Sequence, residues 1–218
     1  MVEARRKAPR EKGPEGVRAL GHRAYVGGAD DAAWWGIGHL QFRFLVDQGL
    51  RPRHVFLDCA CGSLRAGIWL IPFLAQGNYL GIDLEPDLIA RGRDDELGPT
   101  LDNLKKPELI ADGAFTFSRF SRQASFGIAQ SLFTHLTSAD IALCLRNLAA
   151  WAAPDIRFYA TFFEGDSGAN GTESHAHRRF VYSRDELTAL GDEAGLSMSY
   201  IGDWRHPRQQ KMVCYTRR

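Results

Sequence analysis

The sequence predicts an α/β fold: a doubly wound, mostly parallel seven-stranded sheet that ends in an antiparallel hairpin. Five short apolar segments alternate with helical patterns, and such alternation is typical of a parallel sheet covered on both faces. The last two apolar segments, "LSMSYIGDW" and "KMVCYTRR", are too close in sequence for a crossover helix, so they must pair antiparallel. A length of 218 residues fits one domain.

The N-terminal part of the chain divides into a tail and a helical cap. Residues 1–20 contain the basic stretch "MVEARRKAPREKGPEG" and little apolar surface to offset the entropy of ordering, which predicts a flexible tail. Residues 21–218 then form the domain, and 21–50 are its cap. Apolar residues recur at helical spacing over 32–48, and Gly49 ends that helix.

The five central strands are predicted where short apolar runs occur, at 54–58, 78–83, 108–112, 125–133 and 156–163. A helix starts near Ser63, and Pro72 shortens or kinks it. The segment "PDLIARGRDDEL" is helical after the second strand. Thr137 and Asp140 have the spacing of a capping box, which predicts a helix after the fourth strand.

The segment 164–182, "EGDSGANGTESHAHRRFVY", is polar and contains glycine, so we predict a long loop on the substrate side. Loops of this length are usually functional or mobile. Ser183 and Glu186 form a second capping box, and Gly195 closes the helix that it opens.

The charge balance limits the class of partner. Lys and Arg number 27 against 26 Asp and Glu, a net charge of +1, which argues against a nucleic-acid partner because such binding needs clustered positive charge. No window approaches the roughly 20 apolar residues of a membrane helix. The N-terminus lacks the apolar core of a secretory signal, so we expect a cytoplasmic protein without a membrane partner.

Four cysteines are present, and only Cys59 and Cys61 are close together. A C-x-C pair lacks the two-residue spacer of redox and zinc motifs, and no second pair follows. We therefore interpret the cysteines as small buried residues and predict no metal site.

Acids end the first three predicted strands, at Asp58, Asp83 and Asp112. Ligands of an open parallel sheet bind beyond the carboxyl ends of the strands, where the strand order reverses. Asp83 lies 21 residues after Gly62, where an acid can accept hydrogen bonds from ribose hydroxyls, as it also does in nicotinamide-cofactor proteins.

The turn after the first strand indicates which adenosine cofactor fits. When the G-x-G-x-x-G pattern is aligned on Ala60 and Gly62, Arg65 takes the place of the third glycine, which close helix–strand packing requires. The carboxylate of Asp58 would repel a diphosphate but attract an ammonium or sulfonium. The turn therefore favours a positively charged adenosine cofactor.

From Tyr25 to its end the chain resembles the class I S-adenosylmethionine-dependent methyltransferases, in particular small stand-alone bacterial ones. The resemblance is carried by "LDCACGSLRAG", "YLGIDLEPDLIARG" and "GIAQSLFTHL", together with "AYVGG…WWGIGHLQF" and the hairpin "YIGDWRHPRQQKMV". It implies a Rossmann-like methyltransferase fold, the cofactor S-adenosyl-L-methionine and a small-molecule acceptor that is O- or N-methylated by a monomer or homodimer.

The resemblance also implies residue roles. Asp58 would bind the methionine amino group and Asp83 the ribose, while Asp112 or Gly113 would lie near the adenine. Residues 130–131 would lie by the methionine portion or the transferred methyl. The full set of implied cofactor-binding positions is Tyr25, Asp58, Ala60, Cys61, Gly62, Arg65, Asp83, Leu84, Asp112, Gln130 and Ser131.

The turn departs from the family pattern at two positions. Ala60 stands where the family usually has glycine, and Leu64 stands where glycine is frequent. Residues 60–62 would let the backbone approach the cofactor, and we expect the methyl group of Ala60 to crowd it.

Several residues have a second interpretation. Asp58 and Asp83 could cap helices or solvate loops. Arg65 could hold the cofactor carboxylate or the substrate, or form a salt bridge, since a cation in the first turn of a helix is not favoured by the helix dipole. His135 follows the fourth strand, where it could act as a general base or be a histidine at a helix start that bonds to backbone.

Two further motifs are ambiguous. His175 and His177, with nearby acids, could suggest a metal, but the spacing is generic and a substrate-facing lid or a solvated loop is favoured. Trp34 and Trp35 cannot both point into the core, so one of them could cover the substrate pocket, or Trp34 or Trp35 could be an ordinary core residue.

Two other functions stay open. One is an NAD(P)- or nucleotide-binding oxidoreductase, which Asp58 and Arg65 disfavour. The other is a non-catalytic cofactor-binding protein with the same fold, for which Ala60 is the only support.

Overall fold

The computed structural model describes residues 13–28 and 30–218. The strands of this part are β1 Phe56–Cys59, β2 Tyr79–Asp83, β3 Glu108–Ala111, β4 Phe126–Ala129, β5 Arg157–Glu164, β6 Val181–Tyr182, β7 Leu196–Asp203 and β8 Lys211–Arg217. The α-helices are α1 Gly13–Leu20, α2 His22–Tyr25, α3 Ile37–Asp47, α4 Gly67–Phe73, α5 Pro86–Arg91, α6 Gly98–Lys105, α7 Ser138–Trp151 and α8 Arg184–Glu193. Two π-helical segments, Ala32–Gly36 and Gly92–Leu97, precede α3 and α6.

Seven strands lie in the order β3-β2-β1-β4-β5-β8-β7. The first five are parallel, and β8 pairs antiparallel with both β5 and β7. The predicted doubly wound sheet with an antiparallel C-terminal hairpin is therefore confirmed. The order reverses at β1, which pairs with β2 on one side and β4 on the other. One addition is β6, a two-residue strand beside the end of β5 within the predicted loop.

Side chains of the central strands alternate between two apolar layers. Leu57 and Cys59 of β1 pack with the buried face of α7, whereas Phe56 packs with residues of α3 and α4 on the other face. Burying each large apolar side chain contributes about 1.5–3 kcal/mol. The four cysteines are buried and unbridged, as predicted. Within residues 13–28 and 30–218, no helix is both long and apolar enough to cross a bilayer.

The N-terminal segment differs from the sequence prediction. Residues 13–20, predicted as part of a flexible tail, form α1, and residues 1–12 of that tail lie outside the described residues. Val17 of α1 is buried with Tyr25 and with Leu88 of α5. Composition could not reveal this helix, because its apolar face is completed by a residue more than 60 positions away.

Two element boundaries also moved, each for a local reason. The helix predicted to begin near Ser63 begins at Gly67, because Leu64 has a left-handed φ of 65°. The strand predicted over 125–133 ends at Ala129, and Ser131 has a φ of 60°. Thr137 caps α7 by accepting from the Asp140 N–H at 3.3 Å.

Only one of the two predicted capping boxes is complete. The backbone N–H of Thr137 donates to Ser174 Oγ at 2.8 Å instead of to Asp140, so this cap is one-sided. Ser183 and Glu186 exchange both bonds, at 3.2 and 2.7 Å. Ser174 therefore ties the 164–182 segment to the start of α7.

Candidate active site

A cleft of about 740 Å³ lies at the carboxyl ends of β1 to β4, around the point where the strand order reverses. Every residue that the sequence pointed to as catalytic or cofactor-binding lines it. These twelve residues are Tyr25, Asp58, Ala60, Cys61, Gly62, Arg65, Asp83, Leu84, Asp112, Gln130, Ser131 and His135. The parallel sheet brings them together because its strands end at one edge.

The turn after β1 is held against β2 by its backbone. The N–H groups of Ala60 and Cys61 both donate to the carbonyl of Ile82, at 2.8 and 3.0 Å. Ala60 and Leu64, the two departures from the family pattern, have φ values of 67° and 65°. A left-handed conformation costs a residue with a Cβ about 1–2 kcal/mol. The turn thus keeps a backbone shape suited to glycine while carrying larger residues.

Asp83 organises the same turn. Its Oδ2 accepts from the Gly62 N–H at 2.8 Å, and its Oδ1 accepts from the Glu85 N–H at 2.9 Å. Asp83 therefore holds the turn through two backbone bonds, whereas the N-cap of α5 is Glu85, so Asp83 is not a helix cap. Each carboxylate oxygen has a further lone pair with which it can accept a ligand hydroxyl. Burial raises the pKa of Asp83 to about 6, although these hydrogen bonds oppose the shift.

Asp58 is a buried carboxylate without a cationic partner. It is 3% exposed, and the Tyr79 hydroxyl donates to its Oδ2 at 2.6 Å. No described Lys, Arg or His lies within ion-pair distance of it. Burial raises the pKa of Asp58 to about 6, and the Tyr79 bond offsets part of that rise. A cationic ligand group would stabilise this carboxylate.

An apolar slot adjoins these acids. Leu84 is 66% exposed although it lines the cleft, and a Cβ at Gly113 would lie only 2.5 Å from Leu84 Cδ1. Phe115 follows on the same wall. The carboxylate of Asp112 bonds instead to its own loop, through Arg119 Nη1 at 3.3 Å and the Ala114 N–H. Asp112 therefore shapes this wall through its loop.

The end of β4 carries a buried polar network. Arg65 is 8% exposed and donates from Nη2 to Gln130 Oε1 at 2.7 Å and from Nη1 to the Val26 carbonyl at 3.1 Å. Gln130 also donates to Gln210 Oε1 at 3.3 Å, and Gln210 donates to Ser131 Oγ at 2.6 Å. Arg65 makes no salt bridge to any residue that the structure describes, so the salt-bridge interpretation is wrong.

His135 has a defined tautomer. Its Nδ1 lies 2.6 Å from the carbonyl oxygen of Arg178, and because a carbonyl only accepts, Nδ1 carries the proton. Burial lowers the pKa of His135, and the charge of Arg208 lowers it further, so the ring is neutral near pH 7. Nε2 then has a lone pair. The backbone bond confirms the second interpretation of His135, and its role as a general base stays a prediction.

A comparison with known proteins places this architecture. No family model matches the sequence, and no curated protein is similar to it in sequence. Magnesium protoporphyrin IX methyltransferase (ChlM) from Synechocystis PCC 6803, solved with bound SAM, superposes with a TM-score of 0.64 at 15% identity, over 90% of this chain and 89% of that one. The CcbJ methyltransferase from Streptomyces caelestis gives 0.67 at 15% identity, over 90% and 95%.

The chain has the fold of the S-adenosylmethionine-dependent methyltransferases. An S-adenosylmethionine-dependent methyltransferase from Clostridium acetobutylicum ATCC 824 is also similar, with a TM-score of 0.61 at 12% identity, over 92% of this chain and 97% of that one. The methyltransferase fold accounts for the position of the cleft.

On this methyltransferase fold the 164–182 segment forms a roof. Its His175 and Phe180 N–H groups donate to the carbonyls of His135 and Thr134 at 2.9 and 2.8 Å, so this part of the loop packs on the segment after β4, while residues 171–173 before it are exposed. The His177 ring packs edge-on against Tyr25 of the N-terminal cap, with centroids 4.9 Å apart. Loop and cap therefore meet beside the cleft.

The structure can be compared with two further predictions, on the tryptophans of the cap and on a metal site. Neither Trp34, which is fully buried, nor Trp35, which is 42% exposed, lines the cleft, so the idea that one of them covers it is wrong. Tyr25 is the aromatic residue of the cap that lines it. Among the described residues, no three His, Cys, Asp or Glu side chains come together as a metal site.

Sequence reasoning missed several polar residues of the cleft, among them Gln41, Glu85 and Arg208. Gln41 occupies a core position of the α3 pattern and is 3% exposed, and a polar residue at such a position was the available signal. Arg208 comes from the β7–β8 loop, and its Nη2 donates to the Gly27 carbonyl at 2.6 Å. Nothing in the local sequence indicates that this hairpin loop reaches the cap.

Proposed function

We propose that this protein is an S-adenosylmethionine-dependent methyltransferase that methylates an oxygen or nitrogen atom of a small molecule. The observation that carries the proposal is the buried, cation-free Asp58 beside Asp83 at the cleft of this fold. Similar structures bind SAM or SAH, which carry an ammonium group and a ribose. The near balance of charge supports a small molecule rather than a nucleic acid, and we extend the proposal to a cytoplasmic monomer or homodimer.

The residues of the cleft fit this cofactor. Asp58 would hold the ammonium group and Asp83 the ribose hydroxyls, for which its oxygens keep free lone pairs. The slot of Leu84, Gly113 and Phe115 would take the adenine, since it is apolar and lacks a side chain at its centre. The backbone of residues 60–62 would border the rest of the molecule.

S-adenosylmethionine supplies a methyl group that its positive sulfur makes electrophilic. The work of this chain is alignment and exclusion of water, which the roof of Tyr25 and His177 serves. His135 Nε2 can take the proton of an acceptor O–H or N–H group as the acceptor attacks. The Arg178 carbonyl accepts from Nδ1, which leaves the lone pair of the neutral ring on Nε2, and it stabilises the ring after Nε2 gains the proton.

The proposal is tested by calorimetric titration of S-adenosylhomocysteine. The wild-type protein is expected to bind it, and Asp58→Asn, which removes the charge at equal size, is expected to weaken binding at least tenfold. Asp155→Asn, an exposed acid outside the cleft, is the matched control and should leave the affinity unchanged. A wild-type protein that binds no S-adenosylhomocysteine contradicts the proposal.

The alternative of a non-catalytic cofactor-binding protein is favoured by one observation, the left-handed Ala60 whose methyl group adjoins the cleft. It predicts S-adenosylhomocysteine binding without methyl transfer to any acceptor in a broad screen with radiolabelled S-adenosylmethionine. Turnover with one acceptor excludes it.

A further inference from the structure

Two guanidinium groups form a positive corner of the cleft on the side of β4 and the β7–β8 loop. Arg65 is buried, Arg208 is largely exposed, and both line the cleft. In the described part of the chain, neither has a carboxylate within ion-pair distance. For the buried Arg65, a charge without a counter-ion is unfavourable and an anionic ligand would relieve it, whereas the exposed Arg208 is solvated and can reach an anionic ligand from the cleft mouth.

Both guanidinium groups have N–H donors beyond those in the hydrogen bonds described above. Arg65 uses Nη1 and Nη2 on the Val26 carbonyl and on Gln130, while its buried Nε has no acceptor among the described residues. Arg208 uses Nη2 on the Gly27 carbonyl. Each guanidinium has five N–H donors, and pairs of them match the two oxygens of a carboxylate.

The surroundings keep this corner positive. Burial and the charge of Arg208 lower the pKa of Arg65 to about 10, which leaves it charged at neutral pH. His206, beside Gln130, is 4% exposed, and burial together with both arginines lowers its pKa to about 4. It therefore adds no charge, and Asp58 is the carboxylate that acts on Arg65 electrostatically.

The anion in this corner could come from the cofactor or from the acceptor, and the number of charges distinguishes the two. The amino-acid end of S-adenosylmethionine has one ammonium and one carboxylate, and Asp58 complements the ammonium. Its single carboxylate can neutralise one guanidinium, and Arg65 follows the same turn as Asp58, seven residues along the chain. Arg208 comes from the β7–β8 loop, bonds to the Gly27 carbonyl and lines the cleft with His135, so it remains for a second anion.

We propose that the acceptor is a carboxylic acid whose carboxylate binds at Arg208, in the corner that Arg208 shares with Arg65. This inference rests on the proposed methyl transfer and names its substrate class. The acceptor's hydroxyl or amine would then lie on the His135 side of the cleft, where the proton must be accepted.

The test uses protein saturated with S-adenosylhomocysteine, so that the cofactor's own carboxylate is already bound. Benzoate and its neutral analogue benzamide are titrated into this complex by calorimetry. We expect benzoate to bind at least tenfold more tightly than benzamide. Arg208→Gln should lower benzoate affinity at least tenfold and leave S-adenosylhomocysteine affinity within twofold, which also shows that the variant is folded.

Arg205→Gln, on the same loop but outside the cleft, is the matched control and should change neither affinity. Equal binding of benzoate and benzamide to the complex overturns the inference. So does a loss of S-adenosylhomocysteine affinity in Arg208→Gln, because the corner would then serve the cofactor carboxylate. If the proposed function itself is wrong, the wild-type protein binds no S-adenosylhomocysteine. Benzoate is then titrated into the free protein, which tests the carboxylate site alone.

Discussion

The cleft has an acidic wall, which contains Asp58 and Asp83, and a basic wall, which contains Arg65, His135 and Arg208, and the two are built in different ways. On the acidic wall, Asp83 bonds to Glu85, two residues away, and to Gly62, 21 residues away in the adjoining turn. On the basic wall, Arg208 bonds to Gly27, which is 181 residues away. The acidic wall follows from where parallel strands end, whereas the basic wall forms only when the C-terminal hairpin docks on the N-terminal cap.

Burial penalises charge on both walls. It raises the pKa of Asp58 and of Asp83 to about 6, and it lowers the pKa of Arg65 to about 10 and that of His135 below its ordinary value. A ligand with a cation toward one wall and an anion toward the other would relieve both penalties. One cleft therefore holds opposite charges on its two walls, which a ligand with both charges would complement.

Breaking the acidic wall at Asp83 should have the largest effect. Asp83→Ala leaves the N–H groups of Gly62 and Glu85 without their acceptor, which costs about 1–3 kcal/mol for each buried donor. We expect S-adenosylhomocysteine affinity to fall at least a hundredfold by calorimetry, and the free energy of unfolding in urea to fall as well. Asp83→Asn keeps one acceptor oxygen and should lose less of both. Unchanged affinity in Asp83→Ala would remove the ribose assignment.

Breaking the basic wall at His135 should affect turnover alone. Removing a general base typically lowers the rate by about 10²–10⁴. We expect His135→Gln to lower kcat by at least a hundredfold, once an acceptor is identified, without changing S-adenosylhomocysteine affinity. His39→Gln, an exposed histidine of α3 outside the cleft, is the control. A His135→Gln enzyme with wild-type kcat would show that the acceptor needs no base.

The pH dependence of S-adenosylhomocysteine binding should show the charge of Asp58 on the acidic wall. Because the pKa of Asp58 in the free protein is raised to about 6, the carboxylate that meets a cationic ligand is lost as pH falls through 6. S-adenosylhomocysteine should therefore bind about tenfold more weakly at pH 5 than at pH 7. Asp58→Asn should flatten this profile. An equally steep profile in Asp58→Asn would place the titrating group elsewhere.

Asp58 and Asp83 should contribute the opposite trend to the stability of the free protein. An acid whose folded-state pKa is raised contributes stability below its unfolded pKa near 4, and that contribution disappears as pH rises through 6. Asp58 and Asp83 thus favour pH 5 over pH 7, whereas His206, whose pKa burial lowers to about 4, favours pH 7. Thermal melts of the free wild-type protein and of Asp58→Asn at the two pH values isolate the contribution of Asp58, and the stability of wild type relative to Asp58→Asn should fall from pH 5 to pH 7. An equal pH dependence in the two proteins would contradict it.

The smallest expected effect concerns the strained turn beside the acidic wall. Ala60→Gly should raise the free energy of unfolding by about 1 kcal/mol, because glycine adopts a φ of 67° without a Cβ clash. Ala189→Gly, at an exposed position inside α8, should instead lower it by about 1 kcal/mol. Urea denaturation compares the two. A destabilised Ala60→Gly would mean that the methyl group packs usefully in the turn.

The sequence by itself determined the sheet, its C-terminal hairpin and the acidic wall. Alternating apolar runs set the strands, and residues such as Asp58 and Asp83 stand at strand ends, so topology alone brings them to one edge. The Ser183–Glu186 capping box was also predictable, because its two residues lie three positions apart in the sequence.

Only the tertiary structure decided the basic wall, the roof and the helix α1. The corner of Arg65 and Arg208, the packing of His177 on Tyr25 and the burial of Val17 against Leu88 each join segments that are distant in sequence. No periodicity or local spacing encodes such contacts, because their free energy arises only when the segments dock. Bonds between neighbouring residues can be predicted from short sequence motifs, whereas contacts between docked segments cannot.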